Sequence, residues 1–341
     1  MDVAKLAGVN YSTVSLALRG DERIRKSTRD RVAEAASELD YTPNRLARSL
    51  SGGSSKVIGV MFTEMSHFFA KPLEALQSTF EKEGYTLSVH FSSWNRQRER
   101  NELIHFCENR VDGLIWAPTE WNGEAFIETN ELLQRYKTPY VLLGLVEDDC
   151  PVVCNQVGGL IEEPIRLAVS YLKSLGHQHI GVATATRLPG HVGGMHRLRL
   201  QVIRKVFADY NLTLKESDIL ETSDHDHGGL EIALRIRENR GSRPTAILAA
   251  HDTLARGVAK SLLALGVKIP EDICLIGLDV VQRELDNGTT LASVSLEGEE
   301  ATRRAARILM NIIGKPAGKS QAQKVIVAPQ LILGTSCVPC S

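Results

Sequence analysis

The 341 residues are too many for one compact core and suit two or three domains, with 43% apolar and 24% charged residues as in ordinary soluble globular chains. No run approaches the roughly 18 apolar residues of a membrane helix, and the N-terminus lacks the apolar core of a signal peptide, so a cytoplasmic chain without a membrane partner is expected. The net charge of −1 conceals an asymmetry, because residues 1–56 hold ten Lys and Arg against seven Asp and Glu while the remainder holds 30 against 34, the pattern of a small basic head on an acidic body.

Residues 1–50 read as short helices with no strand candidate. Ala4, Leu6 and Ala7 share one helical face, Gly8-Val9 makes a tight break, and Asn10 is a good N-cap for a second helix that buries Val14, Ala17 and Leu18. Tyr11, Ser12, Ser15 and Leu16 are left outward. A third helix over Thr28–Leu39 carries Val32, Ala35, Ala36 and Leu39 as its apolar stripe. Helix, Gly-containing turn and short helix make a helix-turn-helix, whose second helix offers its first side chains to the DNA major groove. From this stretch alone, two helices of an unrelated bundle remain an equal alternative.

Ser51–Ser55 breaks the helical pattern as a flexible linker, and from Lys56 the character changes. Strands are expected at Val57–Met61, Leu87–Phe91, Gly113–Trp116 and Tyr140–Leu143, with helices at Leu73–Glu83 and near 98–109 and 123–136. A second set has strands at Ile180–Ala183, Ala246–Ala250 and Ile273–Leu278, with helices near 195–210, 228–239 and 253–265. Alternation at this spacing predicts right-handed βαβ units and parallel sheets, in two doubly wound lobes. Ligands of such sheets bind beyond the carboxyl ends of the strands.

Asp2-Val3-Ala4, Gly8-Val9, Thr13-Val14-Ser15, Ser27-Thr28-Arg29, Leu39-Asp40-Tyr41, Pro43-Asn44 and Ala47-Arg48-Ser49-Leu50 closely resemble the N-terminal domain of the lactose/galactose repressor (LacI/GalR) family. The resemblance continues through Phe68-Phe69-Ala70, Val111–Ile115, Leu175-Gly176-His177 and Pro270–Ile273 with Gly277 and Asp279. It implies an α/β chain: a three-helix helix-turn-helix head with a hinge helix at 1–50, a linker at 51–56, and a two-lobed core at 57–341 that resembles periplasmic binding proteins. The lobes are expected at about 57–158 with 297–322 and about 159–296 with 323–341.

The resemblance further implies a transcriptional regulator, a repressor by preference, that grips operator DNA as a homodimer or tetramer under control of a carbohydrate effector. Tyr11 and Ser12 match the principal base-reading positions, Thr13, Ser15 and Thr28 lie beside them, and Leu16 matches a third base-facing position where an apolar side chain suits a thymine methyl. Arg19, Arg23, Arg29 and Arg45 are phosphate contacts or solvated charges. Asn44, Ala47 and Leu50 fall in the hinge helix, with Leu50 at the position that wedges into the minor groove. For the effector, the resemblance points to Arg199, His251, Asp252 and Asp279, with Phe68 and Phe69 as an apolar wall or as core. His251 departs from the usual Asn, Val202 from Gly and Leu296 from a polar residue; Asn155–Glu163 does not align, and Pro164 interrupts an expected helix start. The dimer surface is expected on the helices Lys71–Glu83 and Thr253–Leu265.

Two alternatives stand beside this reading: a purine-type corepressor-dependent regulator, and a cytoplasmic solute-binding protein without a DNA role. The sequence holds no GxSxG elbow, phosphate loop or HExxH motif, so no enzyme and no cofactor are expected. Six cysteines read as reduced thiols, with Cys337 and Cys340 lacking a second pair at metal spacing.

Overall fold

The computed structural model describes residues 2–18, 20–41, 54–65, 67–121, 123–146, 150–185, 194–222, 228–238, 241–279, 283–315 and 321–340. Contacts divide the chain into two units, Met1–Ser55 and Lys56–Ser341. In the first unit, α1 (Asp2–Leu6), α2 (Tyr11–Leu18) and α3 (Lys26–Glu38) bury Val3, Ala7, Val14, Ala17, Val32, Ala35 and Ala36 in one small core. The turn between α1 and α2 passes through Gly8 at φ +61°, a conformation a β-carbon would strain. Two expected core residues are not in it: Leu6 is 47% and Leu39 43% exposed. Val3 in the short α1 and Ala7 just past its end already fill the inward side there, and Leu39 lies past the end of α3 as its C-cap.

The second unit contains two six-stranded sheets. The first is built from β1 (Val57–Phe62), β2 (Thr86–Phe91), β3 (Gly113–Trp116), β4 (Tyr140–Leu145), β5 (Asn155–Gly159) and β11 (Lys324–Ile326), in the order β11-β5-β4-β3-β1-β2, all pairs parallel. The connecting helices α4 (His67–Glu81), α5 (Arg96–Glu108) and α6 (Glu124–Tyr136) occupy this lobe, and the returning helix α11 (Gly298–Ile312) packs against α4 and β4. Continuous apolar runs such as VIGVMF are what strands covered on both faces require.

The second sheet holds β6 (Ile180–Ala185), β7 (Ile219–Thr222), β8 (Ala246–Ala249), β9 (Cys274–Leu278), β10 (Ala292–Ser295) and β12 (Gln330–Ile332), in the order β12-β10-β9-β8-β6-β7. All its pairs are parallel except β10 with β12. Its helices are α7 (Glu162–Ser174), α8 (Gly194–Asp209), α9 (Gly229–Glu238) and α10 (Asp252–Ala264). The strands and helices expected from Lys56 onward are present with ends shifted by a few residues, the largest shift being α4, which begins at His67.

Two details correct the sequence reading. Pro164 does not interrupt a helix: α7 begins at Glu162, so Pro164 sits in the first turn, where a backbone N–H has no helical partner to lose. The second return to lobe two falls after β11 rather than at 323, because Lys324–Ile326 pairs with β5 and extends the first sheet. β5 itself, NQVGG, carries no strand pattern; its Gly158 passes so close to Gly144 that a β-carbon would lie 2.0 Å from the Gly144 carbonyl oxygen.

Candidate functional site

Strand order locates the places where a ligand can enter. In the second sheet the chain runs from β6 to β7 on one side and then to β8 on the other, so the order reverses between β6 and β8. Beyond the carboxyl ends at such a reversal the connecting segments part and leave a crevice. Ala250-His251 follows β8, with His251 as N-cap of α10 and Asp252 as its first residue. Asp279 follows β9, and Arg199 lies on α8, the helix after β6.

These side chains meet. Arg199 Nη1 lies 2.8 Å from His251 Nε2, and His251 Nδ1 lies 3.2 Å from Asp279 Oδ2. A guanidinium can only donate, so Nε2 must accept and the proton of a neutral imidazole sits on Nδ1, where it donates to the Asp279 carboxylate. The histidine thus joins a cation to an anion and orients both. Burial pulls the Arg199 guanidinium below its ordinary pKa, and the Asp279 charge opposes that pull. Asp279 stands at φ +98°, a strained conformation for a residue with a β-carbon. Asp252 makes contacts of a different kind. It is fully buried, accepts a hydrogen bond from Ser293 Oγ at 2.8 Å, and occupies the space a β-carbon on Gly277 would take, 2.0 Å from its Oδ1. It thereby joins α10 to β9 and β10.

In the first sheet the order reverses between β1 and β3. At the carboxyl ends there, the structure gathers polar groups that the sequence reading did not single out. Glu99, in the opening turns of α5, accepts from Thr119 N at 2.7 Å and Thr119 Oγ1 at 2.5 Å, and Thr119 Oγ1 lies 3.0 Å from Ser92 Oγ. Burial raises the Glu99 carboxyl to about 7, against the lowering effect of the Thr119 donors. Trp94 Nε1 donates to Glu64 at 2.9 Å, and Arg96 pairs with Glu120. The available sequence signal was Asn95, whose side chain caps α5 by accepting from Arg98 N and so places Glu99 one turn inside. Phe69 stacks on Phe62 with centroids 4.4 Å apart at the edge of the lobe-one core; the side chain of Phe68 lies outside the described set.

On the head, the outer side of α2 shows Tyr11, 66% exposed, and exposed Ser12, with Ser15 and Leu16 half-buried. Asn10 Oδ1 caps the helix by accepting from Thr13 N at 2.7 Å. Thr28 is half-buried near the start of α3. Arg29 donates to the carbonyls of Asp21 and Ile24, which ties it to the turn before α3, and exposed Arg23 pairs with Asp21. Arg19, Asn44, Arg45, Ala47 and Leu50 lie outside the described residues, so the expected hinge helix does too.

Comparison with known proteins agrees with both units. Residues 1–44 match the family described as "Bacterial regulatory proteins, lacI family", and residues 169–337 match a periplasmic binding protein-like domain. The HTH-type transcriptional repressor PurR of Proteus mirabilis (strain HI4320) is 30% identical over 339 residues, covering 97% of this chain and 94% of its own. PurR of Vibrio vulnificus (strain CMCP6) is 29% identical over 318 residues, covering 92% and 91%. Among solved structures, a Lac repressor dimer bound to operator and the anti-inducer ONPF superposes with a TM-score of 0.81 at 24% identity, covering 99% of this chain and 98% of that one.

Proposed function

Because the chain belongs to the lacI family of bacterial regulatory proteins and is a DNA-binding transcriptional repressor, we propose that its hold on operator DNA is set by a small polar effector, a sugar or sugar derivative, bound in the second unit. The observation that carries this is the contact of Arg199, His251 and Asp279 at the strand-order reversal of the second sheet. Arg199 offers donors in a fixed fork and Asp279 offers acceptors, the pair of functions a polyol needs to be oriented. Phe69 adds an apolar flank only in part, since stacking on Phe62 occupies one face of its ring. DNA is read by Tyr11, Ser12, Ser15 and Leu16 from α2, with Leu50 as minor-groove wedge.

A second reading, a purine-type corepressor that strengthens operator binding, is kept because the relatives above are repressors named PurR. One experiment separates the two. A thermal-shift screen of sugars, sugar acids, phosphorylated sugars and purines finds the ligand, and a gel shift with operator reads its sign. An inducing sugar weakens the DNA complex, whereas a purine corepressor strengthens it. A panel in which no compound raises the melting temperature overturns both.

The working unit of this cytoplasmic regulator is a homodimer, because one head spans half of a pseudo-palindromic site. α4 and α10 are the surfaces assigned to pairing, and α4 presents a shallow depression lined by Glu74, Gln77, Ser78, Glu81 and Lys82 that a second copy would cover. Sedimentation at micromolar concentration is expected to give twice the chain mass of 37.5 kDa. A 37.5 kDa species with and without operator would remove the dimer from this account.

A further inference from the structure

Asn10 Oδ1 receives three hydrogen bonds, each of 2.7 Å: from Thr13 N, from Thr13 Oγ1 and from Ser12 Oγ. The backbone donor fixes the amide, since Thr13 N–H can face only the oxygen and never the NH2 of Asn10. An amide oxygen cannot donate, so both hydroxyls must turn their single proton inward. Thr13 is half-buried, but Ser12 is exposed beside Tyr11 in the first turn of α2. What Ser12 presents outward is therefore lone pairs alone.

The major groove distinguishes bases at the same point by polarity. Adenine N6 and cytosine N4 donate, whereas guanine O6 and thymine O4 accept. A serine whose proton is already committed pairs with the first kind and sets lone pair against lone pair with the second. We propose that Asn10 polarises Ser12 into an obligate acceptor, so that the repressor selects an amino base, A or C, over a keto base, G or T, on the strand Ser12 faces. This rests on the reading of the first turn of α2 as base-contacting. It goes further in assigning the polarity of the contact to the residue that caps the helix. To accept a keto base, Ser12 must break its bond to Asn10. One neutral hydrogen bond corresponds to roughly three- to tenfold in an equilibrium constant.

The test is selection from randomised duplex DNA at fixed salt with the full chain, its S12A, N10D and N10G variants, and base frequencies converted to relative affinities. The position Ser12 reads is the one whose profile changes in S12A. There the parent chain should favour A or C over G or T by three- to tenfold, and S12A should lose that preference. N10D should keep it, because a carboxylate accepts the same donors. N10G should lose it while still starting the helix, since glycine is a tolerated N-cap. If the parent favours G or T at that position, or if a cooperatively melting N10G keeps the preference, the polarity assignment is overturned while the base contact stands. If S12A changes no position, the base contact itself is overturned. The comparison of parent with S12A decides the amino preference even where N10G fails to fold.

Discussion

Arg199→Ala and Asp279→Ala proteins are expected to bind operator as the parent does and to ignore the effector. Each substitution removes charge-assisted hydrogen bonding, worth about 1.5–3 kcal/mol per bond, or roughly 10–100-fold in affinity. Asp279→Ala should be the more severe. It leaves the Nδ1 proton of His251 without its acceptor and the half-buried Arg199 without its nearby counter-charge, since both depend on Asp279. Asp279→Asn separates charge from geometry: asparagine tolerates the positive φ and still accepts from His251, so it should keep part of the response. An effector shifts a conformational equilibrium only by its difference in affinity for the two states, so loss of grip abolishes the response before it touches DNA binding. Calorimetric titration with the ligand found by screening, beside gel shifts with and without it, gives the answer. Unaltered affinity and response in both alanine variants would show that the effector binds elsewhere.

A large pH effect is expected from Glu99. Its carboxyl is raised from 4.5 to about 7, so the folded state binds the proton more tightly than the unfolded chain does. The stabilisation this gives is complete below the unfolded value near 4.5 and is lost as pH rises through 7. At about 1.4 kcal/mol per unit, the loss amounts to about 3 kcal/mol. Glu99→Gln keeps an oxygen for Thr119 and cannot ionise. It should match the parent at pH 4.5 and exceed it by up to about 3 kcal/mol at pH 8, measured as urea midpoints across that range. Parallel stability curves for the two proteins would mean that Glu99 does not titrate between those limits.

What could be read from the residues alone follows from where tertiary contacts enter. The covered strands announced themselves because VIGVMF and GLIW are apolar throughout, and α2 did because Asn10 stands directly before it. β5 was silent because its specification lies in the backbone contact of Gly158 with Gly144, which no local pattern encodes. β11 and β12 are three-residue edge strands, too short to show an alternation. In the site, Arg199, His251 and Asp279 were each legible by resemblance, yet their joining through one imidazole depends on three separate elements converging. Asp252 adjoins His251 in sequence, yet the start of α10 turns it inward to Ser293 while His251 faces Arg199. Glu99 was overlooked because its partner Thr119 is 20 residues away on another connection.

The placement of β11 and β12 bears on how the chain emerges during synthesis. The head is a contact unit of its own by Ser55, whereas β5 and β10 each wait for an edge partner encoded at 324–332. At bacterial elongation rates of about 5–20 residues per second, β5, complete at Gly159, waits roughly 8–33 s for Lys324, and β10, complete at Ser295, waits roughly 2–7 s for Gln330. While they wait, each sheet carries an open edge beside a finished helical head, the kind of surface that recruits stray strands or holding chaperones. A message broken before codon 324 would strip an edge strand from both sheets at once while leaving the three-helix head intact. Loss of the segment that carries β11 and β12 should therefore yield the phenotype of a missing core, in which neither lobe survives as a partial module.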